Sequence, residues 1–311
     1  MHLAQIQNPW RQVMSRLVRN RVAAAGMTVV LLYLLVAVLA SSLAPHPYTQ
    51  MQLLSIYQGP TPTHWLGTDA LGRDQLSRLL YGARISMSVG LITVAVVLVV
   101  GVSVGLASGY YGGRVDAVLM RIVDVGYAFP GLLLVIVISA YLSATLPNIR
   151  SGPLLILKDG YNATGGVVGV ITALALFGWL SVARLVRGQV LGLKQRDFVE
   201  AARALGAPGG RIMLLHLLPN ALATVIVAAA IYMPEFIIAE AGLSFIGLGV
   251  RPPTPSWGIM LSEGVSAIRS HPYVALEPGI AIAILLLAFN FFADGLRDAM
   301  DPLMRDSRGT R

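Results

Sequence analysis

Six long runs of apolar residues, separated by polar loops, are the dominant pattern in the chain. A helix rises 1.5 Å per residue, so about 20 apolar residues cross the ~30 Å hydrocarbon layer of a bilayer. Backbone polar groups in lipid must be satisfied within the segment, so each run is predicted to be a helix. The runs cover residues 22–43, 85–107, 118–143, 166–183, 222–242 and 276–293. The sequence therefore predicts an all-α integral membrane protein with six transmembrane helices.

The composition agrees with this prediction and removes several other classes of protein. Of the 311 residues, 56% are hydrophobic and only 12% are charged, and the mean hydropathy is +0.71. Soluble domains carry about 25% charged residues. The net charge is +8, but the basic residues are scattered between apolar runs, so no nucleic-acid partner is expected. The chain has no cysteine, which excludes disulfides and thiolate chemistry.

Lys and Arg residues predict the orientation, because they are enriched in cytoplasmic loops. With the N-terminus inside, the cytoplasmic segments hold 15 of them and the outer segments hold seven. Both termini are therefore predicted to be cytoplasmic. The chain then divides into a cytoplasmic or interfacial segment (1–21), a first transmembrane helix with an outer loop (22–84), a core domain with an inner loop at 184–221 (85–302), and a cytoplasmic tail (303–311).

The outer loop at residues 44–84 contains four prolines, which favour extended and turn structure. Residues 74–84 follow them and are predicted to form a separate short interfacial helix. Asp74 and Arg78 lie one turn apart in this segment, at the spacing of an ion pair on a helix. This helix would cover the outer face of the bundle.

The inner loop contains a segment with the signals of a short, self-contained helix. Asp197 suits the N-cap position, and Glu200, three residues later, suits its reciprocal partner in a capping box. Gly206 suits the left-handed position after the helix, and Pro208 prevents the helix from continuing. The loop is therefore predicted to hold a rigid helix at the cytoplasmic surface.

A narrow apolar stripe is predicted on this short helix, with two alanines at its centre. It consists of Phe198, Ala201, Ala202 and Leu205. Small side chains allow another surface to approach closely, so the stripe suits docking of a second protein. An equally good alternative is that the stripe packs on the inner face of this chain and that Glu200 and Gly206 only terminate the helix.

The same segment resembles the signature loop of ABC importer permeases. Glu200-Ala201-Ala202, a spaced Gly206 and a terminal Leu-Pro at 218–219 correspond to the broad signature. The form His-Leu-Leu-Pro-Asn at 216–220 is similar to the dipeptide, oligopeptide and nickel branch. Segments 64–74, 79–84, 255–258, 290–298 and 301–302 also resemble that branch. One departure is Ala293, where a glycine is expected before Asp294.

The resemblance implies the transmembrane-domain fold of type I ABC importers, in the bacterial inner membrane. It implies a heterodimer with a homologous permease, two cytoplasmic ABC ATPase subunits and an extracytoplasmic substrate-binding protein. The substrates of such relatives are dipeptides, oligopeptides, glutathione or nickel chelates. ATP and Mg²⁺ would be bound by the ATPase subunits, because neither lysine of this chain, Lys158 or Lys194, belongs to a Gly-Lys-Ser/Thr phosphate loop. No cofactor is expected on this chain.

The resemblance also implies that the short helix is a coupling helix that docks on an ATPase. Glu200 would offer its charge to a basic residue, whereas Arg203 and Arg211 would meet acidic ones. The residues assigned to ATPase docking are Asp197, Phe198, Glu200, Ala201, Ala202, Arg203, Leu205, Gly206 and Arg211.

Ionisable residues within predicted spans are functional candidates, because they are costly in lipid. Asp124 lies one turn from Arg121, and the two are expected to form a local ion pair. Glu235 either lines the translocation pathway, where it would meet the amino terminus of a peptide, or forms a buried hydrogen bond. Glu240 lies about 140° around the helix from Glu235, so the two do not form a paired-carboxylate site.

Other polar residues and prolines in the spans are given structural roles. Pro130 is expected to kink the third transmembrane helix. Pro234 would free a carbonyl group and bend the fifth. Asn290 is interpreted as an interhelical hydrogen-bonding group that could also line the pathway. The five histidines have no metal-ligand spacing, so no metal site is expected.

Two other classes of function compete with the importer subunit. A self-sufficient secondary transporter would have inverted repeats with interrupted spans, and these are not evident in the sequence. A membrane-embedded enzyme would have a nucleophile–base pair or a zinc motif, and no such motif occurs. The chain is therefore expected to be a transport subunit without catalytic residues.

Overall fold

A computed structural model of the chain describes residues 9–150, 152 and 155–300. The described part is almost entirely α-helical and has no β-strand. The predicted cytoplasmic tail (303–311) and residues 1–8 of the predicted N-terminal segment lie outside the described residues. The α-helices are α1 (Pro9–Arg19), α2 (Arg21–Leu43), α3 (Gln75–Tyr111), α4 (Gly113–Tyr127), α5 (Gly131–Thr145), α6 (Leu155–Ala163), α7 (Val167–Leu193), α8 (Asp197–Ala204), α9 (Gly209–Arg211), α10 (Leu218–Phe245), α11 (Trp257–Val265) and α12 (Tyr273–Met300). 

Six helices within the described residues are long and apolar enough to cross a membrane. They are Arg21–Leu43, Gln75–Tyr111, Gly131–Asn148, Val167–Leu193, Gly209–Phe245 and Tyr273–Met300. The fifth of these joins α9 to α10 through a π-helical stretch, Ile212–Leu217. Each of the six predicted runs overlaps one of these helices, and the prediction of an all-α, six-helix membrane protein is confirmed.

The prediction of a separate interfacial helix at residues 74–84 is wrong. These residues are the first turns of α3, which continues without a break to Tyr111. Asp74 is the N-cap, and its side chain accepts a hydrogen bond from the backbone N–H of Ser77. No proline interrupts the sequence after this start signal, so the helix extends from the loop into the membrane. Arg78 pairs with Asp69 and Glu263 instead of Asp74.

The predicted third span is also different, because it consists of two helices. α4 ends at Tyr127 and α5 begins at Gly131, so Pro130 separates two helices where a kink was expected. Proline has no N–H to donate, and its ring disfavours helical backbone in the preceding residue. Pro130 itself has a ψ of 114°, outside the helical region. Only the second helix, with a short 3-10 extension, has the length and hydropathy of a span.

α3 and α7 share the most extensive contact between helices in the described chain. Three glycines at a spacing of four residues, Gly101, Gly105 and Gly109, form the contact face of α3. A Cβ atom on Gly105 would lie 2.7 Å from both the carbonyl oxygen of Ala183 and the Cβ of Val186. The two backbones can therefore approach closely, as in other membrane helix pairs with small residues at this spacing. This contact was not predicted, although the four-residue spacing of the glycines is visible in the sequence.

Replacing Gly105 with alanine is expected to destabilise the α3–α7 contact. The added methyl group would overlap with backbone atoms of α7, and overpacking of this kind costs about 1–3 kcal/mol. Gly188→Ala is the matched control, because a Cβ there would meet no atom within 4 Å. Thermal unfolding in detergent should show a lower Tm for Gly105→Ala and an unchanged or higher Tm for Gly188→Ala. Equal Tm values for the two variants would contradict the close packing.

Candidate ATPase-docking surface and charges of the bundle

The short helix of the inner loop is present as α8, but its predicted capping box is wrong. The N-cap is Arg196, which has extended backbone angles and forms no side-chain capping bond. Asp197 is therefore the first residue inside the helix. Asp197 and Glu200 both lie in the first turn, where carboxylates interact favourably with the helix dipole.

The C-terminus of α8 agrees with the prediction. Gly206 has a φ of +76°, the left-handed conformation that glycine adopts without a steric penalty. The N–H of Gly206 donates to the carbonyl of Arg203 at 2.9 Å, and the N–H of Ala207 donates to that of Ala202 at 3.0 Å. This pair of bonds is a Schellman motif, which satisfies carbonyls at the helix end. α8 is thus a closed unit that ends before Pro208.

The predicted apolar stripe is only partly covered by the rest of the chain. Val199 and Ala202 are buried and hold α8 on the core, whereas Phe198, Ala201 and Leu205 are exposed. Leu205 is 87% exposed. Val199 was missed, because its role depends on which side of α8 meets the core. The alternative that the whole stripe packs on this chain therefore does not hold for the three exposed members.

α8 packs on the π-helical stretch Ile212–Leu217 and lies beside the end of α3. The ammonium group of Lys194, just after α7, donates to the carbonyl of Gly109 near the end of α3 at 2.8 Å. The guanidinium of Arg203 lies 5.7 Å from the ring centroid of Tyr110, also on α3. Arg211 and Glu200 are exposed. α8 therefore sits beside the ends of the two most closely packed helices, with charges of both signs facing outward.

Two ion pairs connect α4 to α7. The guanidinium of Arg187 donates to the carboxylate of Asp116 at 2.6 and 2.7 Å. These bonds, aided by one from Ser108, lower the pKa of Asp116 to about 2. Asp124 pairs with Arg184 at 2.9 Å, so the prediction that Arg121 is its partner is wrong. The Arg184 guanidinium lies 4.2 Å from the ring centroid of Tyr127, which holds it beside α4.

The two carboxylates of α10 have different surroundings. Glu240 is completely buried and accepts hydrogen bonds from the hydroxyls of Ser86 and Ser244, each at 2.7 Å. This network joins α10 to α3 and satisfies a polar group that would be costly alone. Glu235 is exposed on the other side of the helix. The structure thus separates the two carboxylates, as the spacing predicted.

Asn290 is exposed on α12, and no hydrogen bond from its side chain to a neighbouring helix is present among the described residues. A groove of about 580 Å³ lies between α7, α10 and α12, with Gln189, Thr224 and Arg297 among the residues that line it. Glu235 and Asn290 are not among its lining residues. Their suggested role in the pathway therefore stays a prediction.

A buried charge network that was not predicted lies at the start of α3. Asp69 pairs with Arg73 at 2.6 Å and also with Arg78, and both arginines reach Glu263 on α11. Asp69 and the two arginines are almost fully buried. The sequence shows Asp69 and Arg73 as opposite charges four residues apart in the outer loop. It does not show that Glu263 of α11 meets them. The network fixes the outer loop on the bundle.

The arrangement defines a membrane-embedded transport subunit, in which six spans carry a short capped helix beside the ends of α3 and α7. The chain belongs to the family of binding-protein-dependent transport system inner membrane components. The model of this family matches residues 101–306. Residues 8–60 match the N-terminal TM domain of oligopeptide transport permease C.

Full-length relatives are similar along nearly the whole chain. The glutathione transport system permease protein of Pectobacterium atrosepticum is 40% identical, over 96% of this chain and 93% of its own length. The dipeptide transport system permease protein of Alkalihalophilus pseudofirmus is 38% identical, over 96% and 91%. The oligopeptide transport system permease protein of Bacillus subtilis is 38% identical, over 95% and 90%.

Family membership defines the general role of the chain. It is a multi-pass permease subunit of an ABC importer in a bacterial inner membrane, and it is not an enzyme. Subunits of this family carry no cofactor of their own. They work with a partner permease, ATPases and a binding protein. The predicted resemblance is therefore confirmed.

Removing the Asp116–Arg187 pair is expected to reduce stability in a pH-dependent way. A carboxylate whose pKa is lowered from 3.8 to about 2 stabilises the fold above pH 3.8, and this contribution is lost as the pH falls toward 2. The Tm difference between the wild type and Asp116→Asn should therefore be largest near pH 6 and become smaller below pH 4. Asp124→Asn is the control, because the exposed Asp124–Arg184 pair should contribute less than about 1 kcal/mol. A pH-independent difference for Asp116→Asn would contradict this assignment.

Proposed function

We propose that this chain forms half of the translocation pathway for dipeptides or short oligopeptides and is coupled to a cytoplasmic ATPase through α8. The observation that carries the proposal is the orientation of α8. Val199 and Ala202 face the core, whereas Phe198, Glu200 and Leu205 face outward. A short helix with closed backbone hydrogen bonds and exposed apolar side chains suits docking in a cleft of another protein.

The contacts of α8 support its role in transmitting movement. α8 follows α7 after a connection of three residues, and α7 packs against the glycine face of α3. The bond from Lys194 to Gly109 joins the ends of these two helices. Packed interfaces move as bodies and deform little, so a displacement of α8 would be passed to both helices. ATPase closure would in this way move the transmembrane helices.

The exposed side chains indicate the chemistry of the ATPase surface. Leu205 and Phe198 would enter apolar pockets, since exposed apolar groups gain most when they are buried at the centre of an interface. Glu200 would face a basic residue, and Arg203 and Arg211 would face acidic ones. The docking surface proposed consists of Asp197, Phe198, Glu200, Ala201, Arg203, Leu205, Gly206 and Arg211. Ala202, which the sequence also assigned to docking, is buried against the core and would support this surface from behind.

The complex would contain a heterodimer with a homologous permease, two ATPases that bind ATP and Mg²⁺, and an extracytoplasmic substrate-binding protein. Large apolar faces are available for lipid or for the second permease; on α5, for example, Leu132 is 66% exposed and Leu133 is 57% exposed. Residues 85–302 would form the core permease domain, preceded by an N-terminal segment (1–21) and by the first transmembrane helix with its outer loop (22–84).

The relatives support a peptide-like substrate, because those with 38–40% identity are named for dipeptide, oligopeptide or glutathione transport. These substrates share an amino group and a carboxylate. Glu235 would provide a negative charge for the amino group, since it is an exposed carboxylate within a span. Glutathione is the alternative substrate, favoured by the relative from Pectobacterium atrosepticum.

Reversing the charge of Glu200 is expected to release the ATPase. Wild-type protein purified from mildly solubilised membranes should bring two ATPase-type chains and a second permease, identified by mass spectrometry. Glu200→Arg should recover about tenfold less ATPase, because a like charge opposes a basic partner. Asp159→Arg is the control, since Asp159 is also exposed but lies in α6, before α7. Equal recovery of ATPase with both variants would contradict docking through α8.

Neutralising Glu235 is expected to slow the transport of substrates with a free amino terminus. Uptake by cells that express Glu235→Gln should fall about tenfold, as expected for the loss of a charge-assisted contact. Uptake of an amino-terminally acetylated peptide is the control and should be unchanged, as should recovery of the ATPase. Equal losses for both peptides would assign Glu235 a structural role.

A further inference from the structure

The outer loop brings two histidines and an aspartate together at the start of α3. His46, His64 and Asp74 each offer one ligand atom, and these atoms lie within 4.8 Å of one another. The two imidazole rings are tilted by 40° to each other, with centroids 4.8 Å apart. His64 and Asp74 are buried, and His46 is half-buried and therefore open to solvent. Spacing along the sequence did not reveal this group, because its members meet only when the loop folds back on α3.

Hydrogen bonds determine which nitrogen of each ring is free. Nδ1 of His64 lies 2.9 Å from Oδ1 of Asp74, and Nε2 of His46 lies 3.0 Å from the carbonyl oxygen of Thr63. A carboxylate and a carbonyl can only accept, so these two ring nitrogens carry the protons. In the neutral rings, Nε2 of His64 and Nδ1 of His46 then have free lone pairs. These are the forms in which imidazole binds metal ions.

Asp74 orients His64 and has no need to be a ligand itself. Its Oδ2 accepts bonds from the backbone N–H and the hydroxyl of Ser77, at 2.8 and 2.7 Å. The same hydroxyl accepts a bond from the backbone N–H of His46 at 3.1 Å. The arrangement of carboxylate, histidine and open nitrogen is the one by which proteins fix metal-binding imidazoles. One network thus holds the segments that carry both rings.

We propose that His46 and His64 form a binding site for a divalent transition-metal ion, such as Zn²⁺ or Ni²⁺, on the outer loop. Nε2 of His64 and Nδ1 of His46 bind the ion at about 2.0–2.1 Å, and water fills its remaining positions. Imidazole ligands select zinc, nickel or copper over magnesium and calcium, which prefer oxygen. The bound ion joins the loop near residue 46 to the loop near residue 64 and thereby stabilises the outer face of the subunit.

The environment of His271, in the connection between α11 and α12, is different and provides a control. The ring of His271 stacks on Tyr57 with centroids 4.4 Å apart, and its Nδ1 contacts the hydroxyl of Ser270 at 3.0 Å. His271 belongs to no group of three candidate ligands among the described residues. His271→Gln therefore removes an imidazole from the same predicted side of the membrane without touching the proposed site.

Metal binding is tested with the full chain, purified in detergent through a tag without histidine and stripped with a chelator. Zn²⁺ and Ni²⁺ are titrated separately against a chromophoric chelator, and bound metal is counted by mass spectrometry after gel filtration. The wild type and His271→Gln should bind one ion per chain. His46→Gln should bind at least about tenfold more weakly, because it loses one of two protein ligands. Absence of stoichiometric metal in the wild type, or equal affinity in His46→Gln, overturns the proposal.

A second measurement does not depend on a variant. Electron paramagnetic resonance of Cu²⁺ bound to the wild type reports the nitrogens that coordinate the ion directly. Two nitrogens are expected at a copper-to-chain ratio of one. Coordination by a single nitrogen, or by oxygen alone, overturns the proposal even if His46→Gln does not fold.

Discussion

The close contact between α3 and α7 is the interaction on which the rest of the architecture depends. Gly101, Gly105 and Gly109 of α3 have no side chain. Val186 and the backbone of α7 can therefore fit against them. Between membrane helices, packing of this kind replaces the hydrophobic effect as the source of association. α8 follows α7, and Lys194 in the connection between them donates a hydrogen bond to Gly109 near the end of α3. In the proposed function, docking at α8 and movement of the transmembrane helices would be connected by this packed pair of helices.

Polar groups inside the bundle serve two different purposes. Glu240 is buried, and two serine hydroxyls satisfy it, so it joins helices and is not available to a substrate. Asp69 is likewise held by Arg73 and Arg78. Breaking such buried pairs is costly because a charge would be left without a partner. Glu235 is exposed and forms no ion pair with another described residue, and this difference makes it the proposed pathway residue.

Local signals along the chain predicted the features that are decided within one element. Each of the six apolar runs is long enough to require a helix in lipid, whatever its neighbours. Gly206 marked the end of α8 correctly, because a left-handed residue closes a helix through its own backbone. The motif around Glu200 identified the family for the same reason, since it is contiguous in the sequence. The N-cap of α8 was assigned to Asp197 and lies one residue earlier, at Arg196, which forms no side-chain capping bond.

The sequence by itself thus determined the class of protein, the number of spans and the position of the short helix α8. Only the tertiary structure decided which residues meet across long separations. Asp124 pairs with Arg184 and not with Arg121, which is nearer in the sequence. Val199 is the residue of α8 that is buried most deeply in the core. His46 and His64 came together only through the folded outer loop. Hydropathy and backbone signals are local, because they act within one or two helical turns. Which residues form an ion pair or share a bound ion depends on how distant segments pack.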